Sequence, residues 1–180
     1  QEGLFQHFKL IAESVSIDQI LYNVPGRTAV DMLVDTTSRL SEISNIIGIK
    51  DATGDLSVIK KLVAKCPEDF LLLTGDDATA IDFLLLGGHG GISVTANVTP
   101  KELQKAYLAA IAGNAEVAKK LNEGLSRIHK NLFIEANPIP VKWALHKMGM
   151  CDSGIRLPLL ELSNDCKLIL ENDLKELNLL

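Results

Sequence analysis

The chain has 180 residues, of which 47% are hydrophobic, 23% charged and only 4% aromatic, and its formal net charge is -5. A chain of this length and composition can bury a substantial hydrophobic core, which indicates an ordinary globular protein. The acidic balance and the lack of a basic run argue against a nucleic-acid-binding surface.

Membrane, disulfide and metal signals are weak throughout the sequence. Apolar stretches are interrupted before they could span a bilayer, and the start lacks a signal-peptide pattern, so we expect a soluble cytoplasmic protein with no membrane partner. The three cysteines, Cys66, Cys151 and Cys166, have no C-x-x-C spacing, and the four histidines show no metal-ligand spacing. We expect neither a metal site nor a cofactor.

The N-terminal segment has the periodicity of an amphipathic helix. Its apolar face is formed by Leu4, Phe5, Phe8, Ile11 and Val15. Because the chain starts with Gln1 rather than Met, and inside a helical pattern, we expect it to begin in the middle of something larger.

Strands and helices then alternate four times. Strands are predicted at 19–24, 46–50, 70–74 and 91–94, and helices at 31–40, 56–65, 78–86 and 100–112. Near-continuous apolar strands separated by helices are typical of parallel strands buried on both faces, so the class is α/β.

After Gly113 the pattern is wholly helical, with helices predicted at 115–133, 138–148 and 163–177. Asn137 is a candidate cap for the second of these, with Pro138 and Pro140 in its first turn. We therefore predict a strand-bearing domain at 1–112 and a C-terminal helical domain at 113–180.

Polar side chains follow the strands at the edge where parallel α/β proteins place their chemistry. Lys50 ends an apolar strand, and burial there would free its amine for attack on a carbonyl, as a Schiff-base lysine requires. The alternative is a lysine that only caps its strand and extends to solvent.

A second strand end delivers a phenol and a guanidinium to a similar position. Tyr22 could relay protons beside an imine-forming lysine, or it could be an ordinary half-buried aromatic residue. Arg27 could bind a substrate carboxylate, or it could be an exposed loop charge.

Two other groups of residues are given structural roles. The glycines at 87, 88, 90 and 91 precede their predicted strand, so they indicate a tight turn and not a phosphate cradle. Asp76 and Asp77 follow a strand, and we predict that one of them caps the next helix.

Five ordered motifs, YNVPGRT, GIKDATG, LTGDDA, GGHGGISVTANV and NPIPVKWAL, closely resemble the 4-hydroxy-tetrahydrodipicolinate (dihydrodipicolinate) synthase family over essentially the whole chain. The resemblance implies a class I, pyruvate-dependent aldolase on a (β/α)8 barrel with a C-terminal helical domain. Residues 1–112 would supply the second half of the barrel, strands 5 to 8. The implied reaction condenses pyruvate with aspartate semialdehyde on the route to lysine.

The resemblance also implies roles for individual residues. Lys50 would form the Schiff base, Tyr22 would relay protons and Arg27 would bind the semialdehyde carboxylate. Gly75 and the backbone of Ile92 would line the pyruvate pocket. A related pyruvate-dependent aldolase, like the N-acetylneuraminate lyases that share the tyrosine and lysine, is an alternative. Arg27 favours the synthase, because those lyases typically lack an arginine at this position.

The chain departs from the family by supplying four strands where a closed barrel has eight. The family's paired threonines, its second tyrosine and its lysine-inhibition site have no counterparts here, and Tyr107, in an outer helix, is expected only to pack. A half-barrel leaves two open edges and an uncovered interior, so we predict either a cleaved or split chain bound to a separate N-terminal half-barrel chain, in a homotetramer by resemblance, or a remnant. The alternative is a noncatalytic fragment that serves as a binding or assembly module.

Overall fold

The computed structural model describes all residues, Gln1–Leu180. Its strands are β1 (Gln19–Asn23), β2 (Ile46–Asp51), β3 (Leu71–Thr74) and β4 (Gly90–Gly91). The helices that precede and connect them are α1 (Glu2–Ser14), α2 (Pro25–Thr28), α3 (Val34–Leu40), α4 (Leu56–Lys65) and α5 (Ala80–Leu85). A 3-10 turn (Thr95–Asn97) and α6 (Pro100–Ile111) follow β4.

The four strands form one parallel sheet in the order β1-β2-β3-β4, which confirms the predicted α/β class. The register pairs Tyr22 with Lys50, and Lys50 with Leu73. Because side chains alternate along a strand, these three residues lie on the same face of the sheet.

The two faces of the sheet differ in what covers them. Helices cover one face, where Leu21, Ile49 and Leu72 belong to a core cluster. The other face carries Ile20 and Tyr22, 43% and 45% exposed, together with the partly exposed Leu71. The burial predicted for both faces of the strands is therefore found on one face only, and the second face is open, as expected for half of a barrel.

Helix α1 packs on the covered side of the sheet and confirms the predicted amphipathic helix. Leu4, Phe5 and Phe8 pack against the core cluster, and Ala12 is buried within it. Ile11 and Val15, which were expected on the same apolar face, are exposed.

The C-terminal part is helical, as predicted. Its helices are α7 (Ala115–Glu123), α8 (Ser126–Asn131), α9 (Ile139–Lys147) and α10 (Asn164–Glu176). The single helix predicted at 115–133 is divided into α7 and α8 near Gly124. Asn137 makes no capping hydrogen bond, so its predicted cap is wrong.

Helices α8, α9 and α10 enclose a second core cluster, centred on Leu132, Leu170 and Leu174, whereas Ala118 of α7 belongs to a third cluster. The single tryptophan, Trp143 on α9, packs half-buried against the second cluster. The second cluster also contains Val98 and Leu103 from the preceding segment, so the core crosses the predicted domain boundary at residue 112. That boundary stays a prediction. No helix of the structure combines the length and apolar character needed to cross a membrane.

Candidate active site

Lys50 and Tyr22 lie side by side at the carboxyl ends of β2 and β1. The Nζ of Lys50 is 4.2 Å from the centroid of the Tyr22 ring, within the range of a cation-π contact. Their backbones are direct register partners in the parallel pair. The sheet itself therefore brings an amine and a phenol together on its open face.

Gly75 follows β3 and lies directly against Lys50. A Cβ added to Gly75 would be 2.6 Å from the Cε of Lys50 and 3.0 Å from the Cβ of Ala52. The Gly75 N–H donates a 2.7 Å hydrogen bond to the carbonyl of Asp51, which fixes this close approach. The missing side chain is what leaves room for the lysine.

Ile92 extends the same row of strand ends beyond β4. Its N–H donates to the carbonyl of Thr74 at 2.8 Å, and its side chain is 48% exposed. The structure therefore brings Tyr22, Lys50, Gly75 and Ile92 to neighbouring strand ends, although their roles stay predictions.

Arg27 lies on the short helix α2, which follows β1. Pro25 occupies the first position of α2, where its missing N–H costs no hydrogen bond. The Arg27 side chain is exposed and forms no ion pair. The guanidinium is thus free of internal partners.

A buried polar network, not predicted from the sequence, connects the loop after β3 to the helical part. The N–H and hydroxyl of Thr95 both donate to Oδ2 of Asp77 at 3.0 Å. The same hydroxyl lies 2.8 Å from Nδ1 of His129 on α8, and Nε2 of that ring contacts Asn122 at 3.1 Å. Asp77 and His129 are both buried, and Oδ1 of Asp77 has no partner.

The N-cap of α5 is Thr79 and no side chain makes a capping hydrogen bond there, so the predicted capping role is wrong for the neighbouring Asp76. Its Oδ2 accepts hydrogen bonds from the N–H and the hydroxyl of Thr79, which immediately precedes α5. No cluster of residues suited to hold a metal ion is found.

Tyr107, on α6, packs from the helix side of the sheet, as expected. Its ring and hydroxyl lie 2.7 and 2.8 Å from where a Cβ of Gly91 would be, so β4 can pass only because it has no side chain there. Burial raises the pKa of the Tyr107 phenol, and the charges of Asp77 and Asp76 raise it further. This tyrosine is a packing residue held in its neutral form.

The fold and the strand ends together define an α/β protein of the parallel-barrel class with a lysine at the carboxyl edge of its sheet. The model of the dihydrodipicolinate synthetase family matches residues 1–177, and the chain belongs to this family. Its sheet and helices are the second half of a (β/α)8 barrel followed by a C-terminal helical region.

Several named proteins are similar to this chain in both sequence and structure. The chain is similar to the 4-hydroxy-tetrahydrodipicolinate synthase of Ruthia magnifica, with 61% identity over 180 residues, and to that of Alcanivorax borkumensis, with 54%. All of this chain is covered in both matches, but only 61% of each relative. The chloride-inhibited dihydrodipicolinate synthase from Acinetobacter baumannii, solved in complex with pyruvate, superposes with a TM-score of 0.96 at 51% identity, covering 99% of this chain and 62% of that one. The chain thus spans about three fifths of the length of these relatives.

Proposed function

We propose that the chain supplies the Schiff-base half of a 4-hydroxy-tetrahydrodipicolinate synthase, a lyase that condenses pyruvate with L-aspartate 4-semialdehyde in lysine biosynthesis. The observation that carries the proposal is the contact between the Lys50 amine and the Tyr22 ring across paired strands. Membership of the family and the similarity to the named synthases support it.

The chemistry begins with attack of the Lys50 amine on the keto carbon of pyruvate. Loss of water from the resulting carbinolamine gives an imine, and this loss requires a proton to reach the departing hydroxyl. Tyr22 is the nearest phenol and serves as the proton relay. The imine then activates the methyl carbon of pyruvate for bond formation with the aldehyde.

Two backbone features shape the pyruvate pocket. The absence of a side chain at Gly75 leaves the space in which the imine forms. The carbonyl of Ile92 accepts no hydrogen bond within the chain, whereas its N–H is already bonded to Thr74. This carbonyl is available to the bound keto acid.

Arg27 recognises the second substrate. Its exposed guanidinium has no internal carboxylate partner, and its fork of donors matches a carboxylate in a bidentate arrangement. The aldehyde's carboxylate binds there, so that its carbonyl faces the imine.

The open face of the sheet indicates what the chain binds. Its exposed apolar residues and free edge strands are covered by four more strand–helix units, from the same polypeptide or from a separate N-terminal half-barrel chain. The complete barrel is a cytoplasmic homo-oligomer, a tetramer by family resemblance.

The test is trapping of the imine. Variants are made at the chromosomal locus of a tagged protein, so that any polypeptide accompanying the chain is purified with it. The protein is treated with pyruvate and borohydride, and its intact mass and peptide map are measured. We expect a reduced pyruvate adduct on Lys50, lost in Lys50→Ala and retained in Lys60→Ala, which alters an exposed lysine on α4.

Loss of the adduct identifies the nucleophile only if the variant stays folded. The Lys50 side chain is only partly buried on the open face, so Lys50→Ala should stay folded by circular dichroism. An adduct that persists in Lys50→Ala would place the nucleophile elsewhere. A native protein that forms no adduct would instead support the noncatalytic module.

A further inference from the structure

A buried asparagine and a buried aspartate lie directly behind the two reactive side chains. Asn23 follows Tyr22, Asp51 follows Lys50, and the two are register partners at the ends of β1 and β2. They are only 3% and 4% exposed. Because side chains alternate, this pair lies on the helix-covered face while Tyr22 and Lys50 lie on the open face.

The two side chains hold the strand ends together by a direct bond. Nδ2 of Asn23 donates to Oδ2 of Asp51 at 3.1 Å. The backbone continues the connection, since the N–H of Ala52 donates to the carbonyl of Asn23 at 2.9 Å. A charge-assisted hydrogen bond in a buried setting is stronger than an exposed one, so this contact strongly fixes the relative position of the strand ends.

Asn23 also fixes the segment that follows Arg27. Its Oδ1 accepts from the N–H of Met32 at 3.0 Å, and its Nδ2 donates to Oδ1 of Asp31 at 2.8 Å. Every strong donor and acceptor of the amide is therefore in use. Rotation of this side chain would break contacts in β2 and in the loop at once.

Asp51 makes the corresponding connections toward β3. Its Oδ1 accepts from the N–H and the hydroxyl of Thr53 at 3.1 and 2.5 Å, and its carbonyl accepts from the N–H of Gly75. The pair thus joins three strand ends through one continuous network. A shift of Asp51 would move Lys50 directly, because the two residues share a peptide bond.

We propose that Asn23 and Asp51 are positioning residues that set the placement of the Lys50 amine against the Tyr22 phenol. The inference builds on the roles given to Lys50 and Tyr22 in the proposed function. Neither residue of the pair touches the reacting atoms, since both point away from the open face. They act through the strands that carry the reactive groups.

A purely structural asparagine–aspartate pair elsewhere in the chain provides the matched control. Asn131 on α8 donates through Nδ2 to Oδ2 of Asp173, a buried carboxylate on α10. Asn131→Ala removes the same kind of bond without a connection to the strand ends. Its effect isolates the cost of losing such a bond from the cost of moving the lysine.

The experiment compares Asn23→Ala with Asn131→Ala in the locus-tagged protein described above. For Asn23→Ala we expect the rate of pyruvate trapping to fall tenfold or more, because a misplacement of 1 Å can cost about 10²-fold in rate. The pH dependence of trapping should also change, since the phenol no longer faces the amine. For Asn131→Ala we expect the unfolding temperature to fall while the rate and the pH dependence stay unchanged.

Each outcome decides the proposal. Equal trapping rates and pH profiles in Asn23→Ala and native protein would overturn it while leaving the Lys50 chemistry intact. Failure of the native protein to form any adduct would overturn it together with the proposed function. If Asn23→Ala does not fold, Asp51→Asn provides the test instead. This change keeps the side-chain volume but replaces one carboxylate oxygen, which accepts hydrogen bonds, with an NH2 group, which cannot. A native trapping rate in that variant overturns the proposal.

Discussion

Gly75 shows how a single hydrogen atom in place of a side chain determines where a reactive lysine can lie. The nearest atom to a methyl group placed at this position is the Cε of Lys50, near the mobile end of its side chain. A flexible side chain moves more readily than the backbone. Substitution at Gly75 should therefore change the position of the amine before it changes the fold.

We predict that Gly75→Ala suppresses pyruvate trapping at Lys50 by about tenfold or more, in line with the cost of a 1 Å misplacement. The unfolding temperature should change little, because the displaced atoms belong to a lysine tip and to the small Ala52. Intact-mass kinetics after borohydride measure the first effect and thermal melting the second. Gly154→Ala, where a Cβ meets nothing within 4 Å, is the control. Native trapping in Gly75→Ala would mean that Lys50 is not confined at this point.

We predict that loss of Arg27 impairs use of the aldehyde but not of pyruvate. In Arg27→Ala the imine with pyruvate should form at the native rate, because no contact joins the guanidinium to Lys50. Use of the aldehyde should fall by about 10² or more, as expected when a charged, bidentate contact worth roughly 3 kcal/mol is lost. Steady-state kinetics with each substrate varied in turn measure both effects. Arg156→Ala, a change to another exposed arginine without an ion pair, should leave both unchanged; an unaltered dependence on the aldehyde in Arg27→Ala would remove Arg27 from its role.

At the scale of elements, the network of Asp77, Thr95 and His129 joins the loop after β3 to α8. It includes a buried histidine, and burial lowers the pKa of His129 from its ordinary value of 6.5. The charges of Asp77 and Asp76 act in the opposite direction but do not cancel the effect. The folded protein therefore holds this ring neutral under conditions in which the unfolded chain would protonate it.

This difference predicts a loss of stability in mild acid. Below about pH 6.5 the unfolded state binds a proton at His129 that the folded state does not, so the free energy of unfolding falls as the pH drops toward the lower, folded pKa. Denaturant unfolding at a series of pH values measures the slope. The slope should be smaller in His129→Gln and unchanged in His7→Gln, which alters an exposed histidine. Identical slopes in all three proteins would show that His129 does not titrate with folding.

The elements themselves were largely predictable from sequence, but their ends were set by contacts between distant residues. The helix predicted from residue 31 begins at Val34, because Asn23 binds Asp31 and the backbone of Met32 in a non-helical segment. The strand predicted at 91–94 is β4 at Gly90–Gly91, because Asp77 draws Thr95 into a 3-10 turn. Thus the predicted turn at the glycines is wrong for Gly90 and Gly91, which form the strand itself.

The candidate site was also partly predictable, because residues at the ends of recognisable strands could be identified but contacts between distant residues could not. Lys50 and Tyr22 each end a recognisable strand, and parallel pairing suffices to bring them together. His129 and Asp77 are 52 residues apart in the sequence, and nothing local indicates that Thr95 lies between them. Their meeting depends on how α8 packs, which periodicity alone does not determine.

At the scale of the whole molecule, the parallel sheet is incomplete because only one of its two faces is covered. All-parallel sheets are ordinarily covered on both faces. Here Ile20, Tyr22 and Ile92 expose between 43% and 48% of their surface on the open face. The edge strands β1 and β4 have unpaired backbone groups on their outer sides.

We therefore predict that the chain, purified gently from its own cells, is accompanied by four further strand–helix units, attached or bound. Native mass spectrometry followed by denaturing intact mass distinguishes these two cases. Removal of the added units should expose the open face and increase binding of a hydrophobic dye. A stable monomer of these 180 residues alone that binds no dye would contradict the prediction.

The position of Trp143 gives the molecule a built-in optical reporter. It is the only indole in the chain and packs against the core of the helical part, so its fluorescence monitors that part and not the sheet. Far-ultraviolet circular dichroism, in contrast, averages over all elements. Because Val98 and Leu103 contribute to the same core as α8, α9 and α10, the two signals should change at one common denaturant concentration, as expected for a single cooperative unit.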